Sequence, residues 1–136
     1  MPTAAQLLAK YPSATAWSFG DSPQLADELA ALVLSGRKTA TCSALAACIE
    51  ENALPVVGAY SIILDGRGKP VCAIRTQVTR LLRFSDVTES LARKEGEGDL
   101  SLAYWQKEHQ RFFNREGTWS ADMELVFEEF TLIERF

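Results

Sequence analysis

The stretch Gly36-Arg37-Lys38-Thr39-Ala40-Thr41, with Ser43 two residues further on, holds the densest set of groups able to do chemistry in this chain. A backbone turn there leaves several N–H groups unpaired, and Lys38 adds a positive charge, so an anionic or polar ligand can dock. A hydroxyl is a weak nucleophile at its own pKa and needs a base beside it. A lysine desolvated in a cleft can lose its proton and take that part. Lys38 and Thr41 meet only if the backbone bends, because residues three apart in a straight strand face opposite ways. The competing reading is structural: a helix C-cap whose lysine matches the negative end of the helix dipole. A phosphate-binding P-loop is excluded, since the full G-x-x-x-x-G-K-S/T pattern is absent.

A second cluster, Arg93-Lys94-Glu95-Gly96-Glu97-Gly98-Asp99, places three carboxylates two residues apart with glycines between them. One carboxylate facing Lys38 could orient a substrate or relay a proton; a solvated acidic loop before the next helix reads equally simply. The twelve-residue calcium-loop pattern is missing. His109 is the only histidine, and no ligand-spaced metal cluster accompanies it. It lies four residues beyond Trp105, which puts both on one helix face, where a packed histidine is the default. Ser120 has no nucleophile-elbow pattern around it and suits a turn before the last strand. Trp17, Phe19, Tyr60 and Trp119 could stack on bases, although core packing explains each as well.

The elements that must position these residues are legible from pattern. Residues 3–11 predict a leading helix that stops before Pro12. Ser22 or Asp21 suits an N-cap and Pro23 the first turn of a helix over about 23–35, with Leu25, Leu29, Leu32 and Val33 at helical spacing. Gly36 ends it. Residues 39–43 read as a loop or short strand, followed by a helical turn or two over 43–52. Residues 59–64 and 70–84 predict strands joined by the Asp65–Gly68 turn. Ser85-Asp86 is expected to cap a helix ending near Gly96, and Asp99 or Ser101 to cap the helix that carries Tyr104, Trp105, Phe112 and Phe113. In the last stretch, Leu125 and Phe127 alternate in one phase, Phe130 and Leu132 in the other, which predicts a strand with a bulge. Strands in both halves with helices between them make the fold α+β.

At 136 residues with 47% hydrophobic and 24% charged side chains, the chain has the make-up of one ordinary folded domain. The formal charge of −4 argues against a protein that coats nucleic acid. Its distribution is uneven: residues 1–83 hold eight Lys/Arg against six Asp/Glu, net +2, and residues 84–136 hold six against twelve, net −6. Cys42, Cys48 and Cys72 are odd in number and form no C-x-x-C pair, which suits a cytoplasmic protein with free thiols. No apolar run is long enough for a membrane span, and no signal peptide is read at the start.

Gly36-x-Lys38-x-x-Thr41 resembles the G-x-K-x-x-T signature of ASCH domains, in the PUA-like superfamily. The likeness continues in order through Trp17-Ser18-Phe19-Gly20-Asp21, Leu64-Asp65-Gly66-Arg67-Gly68-Lys69-Pro70, Glu95-Gly96-Glu97-Gly98-Asp99, Trp105-x-x-x-His109 and Phe112-Phe113. That set is similar to bacterial stand-alone ASCH proteins from about residue 17 to 135. The resemblance implies a PUA-like small β-barrel of about five or six strands surrounded by helices. It implies a single domain over 1–136, with 1–16 as an N-terminal helical extension. It also implies a nucleoside or single-stranded RNA as ligand.

Some small members of the family hydrolyse the amide of N4-acetylcytidine with a Lys–Thr–Glu set, and others have been described as acting on single-stranded RNA. Lys38 and Thr41 match the first two positions, and Glu97, with Glu95 as the alternative, matches the third. The expectation is then an amidohydrolase that needs neither metal nor cofactor. A neutral Lys38 takes the Thr41 proton, Thr41 attacks the amide, and Glu97 passes a proton to the leaving amine. Arg37, Thr39, Ser43, Trp17, Phe19, Glu95 and Ser120 are expected around the substrate. The alternative is an RNA-binding module or ribonuclease with Arg37, Arg75, Arg80 and Arg83 along a basic groove. Gly58-Ala59 stands where relatives often show Gly-Asp. Self-association as a homodimer is left open.

Overall fold

The computed structural model describes residues 2–136. The first helix, α1 (Ala4–Lys10), begins with a capping box in which Thr3 accepts from the Gln6 N–H and the Gln6 side chain answers. Thr15–Trp17 follows as strand β1, so helix fills only part of the 1–16 segment. Helix α2 (Pro23–Leu34) starts where Ser22 accepts from the Leu25 N–H, and it buries Ala26, Leu29, Ala30 and Val33. Gly36, at φ +83°, turns the chain out of it. The signature then enters strand β2 (Ala40–Ala44), which runs into the short helix α3 (Leu45–Glu50).

Strands β3 (Tyr60–Leu64) and β4 (Pro70–Arg83) form the expected hairpin. Helix α4 (Glu89–Glu95) starts two to three residues later than Ser85-Asp86 suggests, and Thr88 caps it. Ser85 and Asp86 instead lie in a single 3-10 turn, because Phe84 and Ser85 donate their N–H groups to Met123 and Ala121. Ser101 caps α5 (Leu102–Glu116), and Asp99 accepts from the Ser101 N–H just ahead of it. The last strand is β5 (Glu124–Arg135).

The five strands form one curled half-barrel sheet in the order β1-β3-β4-β5-β2, with β1 and β2 at its edges. Among the described residues only the β1–β3 pair is parallel. Three buried clusters hold the helices to it. Phe19, Leu29, Val33, Ile63, Cys72, Ile74 and Phe130 join α2 to the sheet. Phe84, Trp105, Phe113, Leu125 and Phe127 join α4 and α5 to β2 and β5. Leu7 and Tyr11 pack on Ile62 and Ala73. Burying each such side chain contributes about 1.5–3 kcal/mol.

The change of phase in β5 has a different origin from the one expected. Leu125 and Phe127 face α5 while Phe130 faces α2, so one strand is buried on both sides by different helices. The irregularity at that level lies in β4: Thr76 pairs with Phe130 and Val78 with Glu129, which leaves Gln77 as the extra residue. A second shift, Ala73 with Glu134 and Ile74 with Leu132, puts an extra residue, Ile133, in β5 itself. No helix among the described residues is long and apolar enough to cross a membrane.

Candidate functional site

Lys38 leaves α2 and points inward just before β2 begins. Its side chain and that of Glu95 are each 1% exposed, which is rare for such groups unless they are paired. The Nζ atom lies 2.8 Å from Glu97 Oε2, 3.3 Å from Glu95 Oε1 and 3.4 Å from the Glu95 carbonyl oxygen. It also sits 5.5 Å from the centre of the Phe19 ring. Both carboxylates of the Glu95-Gly96-Glu97 run therefore face one ammonium, which sequence alone left as a choice between them. Glu97, at 20%, is the member of the trio that reaches solvent.

Gly96 makes this possible. It closes α4 at φ +74°, and a Cβ there would stand 2.3 Å from the Arg37 carbonyl oxygen, so the two backbones touch. Thr39 completes the seam, its N–H donating to the Lys94 carbonyl at 2.8 Å.

Behind Lys38 the network deepens. Glu95 Oε2 accepts from Trp105 Nε1 at 2.6 Å, and Glu95 Oε1 lies 3.3 Å from His109 Nε2. His109 Nδ1 is 2.9 Å from the Trp105 carbonyl, which can only accept, so Nδ1 carries a hydrogen. Nε2 then makes a favourable contact with Glu95 only as an imidazolium. Its ring stacks on Trp105 at 4.2 Å. Two carboxylates thus balance two cations in a largely dry site.

The charges set the titration. Burial alone would push Lys38 down, but Glu95 and Glu97 outweigh it and hold the ammonium above its ordinary value. The neutral Lys38 expected from sequence does not match this environment. Burial would likewise raise Glu95, yet His109 and Lys38 keep it well below the usual carboxylate range. Burial opposes the charge on His109 as well, and Glu95 nonetheless carries it above its ordinary value of 6.5. A group raised on folding stabilises the fold below its unfolded pKa, and that contribution is lost as pH rises through the folded one. The melting temperature is therefore expected to fall as pH is raised from 6.5 through the elevated His109 value. His109→Gln should flatten that slope in thermal melts recorded across the range.

Cys42 Sγ joins Glu95 and His109 with all three donor atoms within 4.8 Å, a convergence from β2, α4 and α5 that spacing could not reveal. The Glu95 carboxylate is already bonded by Lys38, Trp105 and His109, and a metal ion there would stand against the Lys38 ammonium. The trio is better described as part of the ion-pair network, with burial pushing the Cys42 thiol well up. Cys42 is two residues from Ala40 on the same face of β2, and Thr41 lies on the other. No hydrogen bond joins Lys38 to Thr41 among the described residues. Thr41 is half-buried and pairs across the ladder with Glu128.

The remaining expected residues divide by position. Trp17 and Phe19 meet edge to face at 4.8 Å beside the Lys38 ammonium. Thr39 is exposed and bonds the Lys94 carbonyl, and Arg37 reaches the Gly98 carbonyl at 3.4 Å. Ser43 is exposed two residues beyond Thr41, on the same face. Ser120 donates to Asp122 at 3.0 Å in the turn before β5, at the opposite end of the β2–β5 ladder from Lys38. Surface hollows of about 450 Å³ along α5 and 310 Å³ between α3 and the start of β5 also lie away from Lys38.

A family model described as the ASCH domain matches residues 15–134, and the signature lysine is the hub of the buried cluster. The chain belongs to the ASCH domain family. This ASCH domain is similar to two solved bacterial structures. Protein EF3133 from Enterococcus faecalis V583 is 38% identical over 96% of this chain and 85% of its own, with a TM-score of 0.85. The ASCH domain from Lactobacillus crispatus JV V101 is 36% identical over 95% of this chain and 85% of its own, with a TM-score of 0.83. A hypothetical protein, PH0355, shares the fold at 15% identity and a TM-score of 0.58, over 88% of this chain and 98% of its own. No curated protein matches the chain.

Proposed function

We propose that this ASCH domain hydrolyses the exocyclic amide of an N4-acylated pyrimidine nucleoside. The observation that carries the reading is the Lys38 ammonium held between Glu95 and Glu97 with its side chain sealed from solvent. A buried ion pair of this kind contributes little to net stability, and charges held in such perturbed surroundings are found more often at functional sites than elsewhere. Held as a cation, Lys38 is suited to stabilise the negative charge that develops on an amide oxygen, which is usually the largest catalytic contribution. Trp17 and Phe19 offer an apolar wall for a pyrimidine ring. Thr41 is the nucleophile, and Glu97, open to solvent, meets the leaving amine.

The RNA-binding reading draws on Arg37, which is exposed beside the cluster. Its proposed groove is weakened because Arg80 and Lys94 both pair with Glu129, and Arg75 lies over Tyr60 and bonds the Gly58 carbonyl. The deciding experiment incubates the full chain with N4-acetylcytidine and follows cytidine and acetate by chromatography. In parallel, labelled single-stranded RNA is titrated at about 50 and 200 mM salt. Turnover of the nucleoside with weak RNA binding is expected. No turnover on any acylcytidine, together with tight binding that collapses with salt, would replace this reading with the RNA module.

A further inference from the structure

The ion pairs around Lys38 leave the proposed reaction short of a base, because an ammonium has no lone pair to accept the Thr41 proton. We propose that Glu128 is the proton acceptor for the Thr41 hydroxyl, a catalytic carboxylate on the opposite face of β2 from Glu95. The inference rests on the hydrolase reading of the site.

Thr41 and Glu128 are direct partners in the antiparallel β2–β5 ladder. Side chains of such a pair project to one face with their Cβ atoms about 4.5–5.5 Å apart, within reach of a hydroxyl–carboxylate hydrogen bond. Glu128 is half-buried, and its recorded hydrogen bond is from Thr76 Oγ1 at 3.1 Å, a neutral donor that is itself 3% exposed. No cation pairs with it among the described residues. Its neighbour Glu129 differs on this point, since Arg80 and Lys94 both hold it. A carboxylate neutralised by cations is a poor base, whereas one left with a single hydroxyl donor keeps its basicity. Burial raises Glu128, and the Thr76 bond offsets part of that rise.

The pair and the ammonium share a wall. Phe130 lies two residues from Glu128 on the same face of β5, its ring 6.3 Å from that of Phe19, which the Lys38 ammonium overlies. The Thr41–Glu128 pair and the ammonium therefore flank one aromatic contact, Phe130 on Phe19, from its two ends. The proton of Thr41 Oγ passes to the Glu128 carboxylate as Oγ bonds to the amide carbon and the carbonyl electrons move to oxygen. When that oxygen re-forms the carbonyl, the C–N bond breaks and the amine takes the proton that Glu128 received from Thr41, leaving an acyl ester on Thr41 and an ionised Glu128. Water then attacks the ester with Glu128 again as acceptor, releasing the carboxylic acid and restoring Thr41.

The test compares wild type with Glu128→Gln, which keeps an acceptor for Thr76 and removes the base. On N4-acetylcytidine the variant is expected to lose about 10²–10⁴-fold in kcat, with the acidic limb of the pH profile abolished. Thr76→Val, which removes the hydrogen bond that lowers Glu128, is expected to move that limb to higher pH. Circular dichroism confirms folding of each. A Glu128→Gln enzyme within about 3-fold of wild type overturns the role of Glu128 and leaves the hydrolase reading standing. A second readout does not depend on the substrate: labelling by a small phosphonofluoridate, followed by intact mass and peptide mapping. Labelling at Thr41 that slows sharply in Glu128→Gln supports the base even if no acylcytidine is turned over. Equal labelling in both proteins, or none at Thr41 in wild type, overturns it.

Discussion

Glu95→Ala is expected to lower the unfolding free energy by about 3–5 kcal/mol, because it strands buried cations that the carboxylate now holds. Lys38 keeps Glu97 and the backbone carbonyl of residue 95, the His109 imidazolium keeps only the Trp105 carbonyl, and the Trp105 N–H loses its acceptor altogether. For a domain of 136 residues that corresponds to a drop in melting temperature of roughly 10–17 °C. Replacing both ends of the pair, as in Lys38→Met with Glu95→Leu, is expected to recover part of the loss, since an apolar contact of similar volume replaces an uncompensated charge. The pH dependence has a definite sign. Glu95 is lowered on folding, so its contribution is present above its ordinary pKa of 4.5 and lost as pH falls through the folded value. Melts of wild type and Glu95→Gln across the acidic range should converge at low pH. A Glu95→Ala protein as stable as wild type would refute the claim that Glu95 compensates buried cations.

Thr41→Ala is expected to do the reverse, abolishing chemistry while leaving the fold. Removing the nucleophile from a covalent hydrolase costs as much as about 10⁶-fold in kcat, and a loss of at least about 10³-fold is expected here. Thr41 is half-buried and its hydroxyl makes no hydrogen bond among the described residues, so the variant's melting temperature should stay within a few degrees of wild type. Thr41→Ser, which keeps a hydroxyl, should retain measurable turnover. Should Thr41→Ala hydrolyse N4-acetylcytidine at the wild-type rate, Thr41 is not the nucleophile and the reaction proceeds by direct attack of water. The two variants also separate the functions of the two faces of β2: one holds charge, the other holds a hydroxyl and a free carboxylate.

Much of the frame is written in local chemistry. Ser22-Pro23 and Gly36 bound α2 because caps and breakers act over three or four residues, and the Asp65–Gly68 turn fixes the β3–β4 hairpin for the same reason. Thr88 does not stand out as the cap of α4 because Ser85-Asp86 has equal intrinsic merit; the hydrogen bonds to Ala121 and Met123 that draw the latter into a 3-10 turn come from residues far along the chain. The phase change in β5 was visible, but its cause, helices on both faces and the extra Gln77 in β4, is tertiary.

The site divides in the same way. Lys38 and its acidic run announce themselves by composition, whereas the charge state of Lys38 depends on carboxylates 57 and 59 positions away. His109 looked like a packed residue. It is packed, and it is also charged against Glu95, and its four-residue spacing from Trp105 was the single local clue. Glu128 carried no signal beyond being one of two adjacent glutamates. Only the register of the ladder distinguishes it from Glu129.

The contact of Gly96 with the Arg37 carbonyl bears on how a ligand enters. With no side chain between them, the end of α4 and the loop leading into β2 are in van der Waals contact along their main chains, and the Thr39 N–H is tied to Lys94. Those two segments form one continuous wall over Lys38 with no gap between them. The turn from Glu97 to Leu100 continues that wall: it is partly exposed, Gly98 and Leu100 both adopt positive φ, and Arg37 reaches the Gly98 carbonyl. Glu97, the carboxylate nearest Lys38 and the most exposed of the trio, lies in that turn, so the solvent side of the buried ammonium is a carboxylate and not an open mouth.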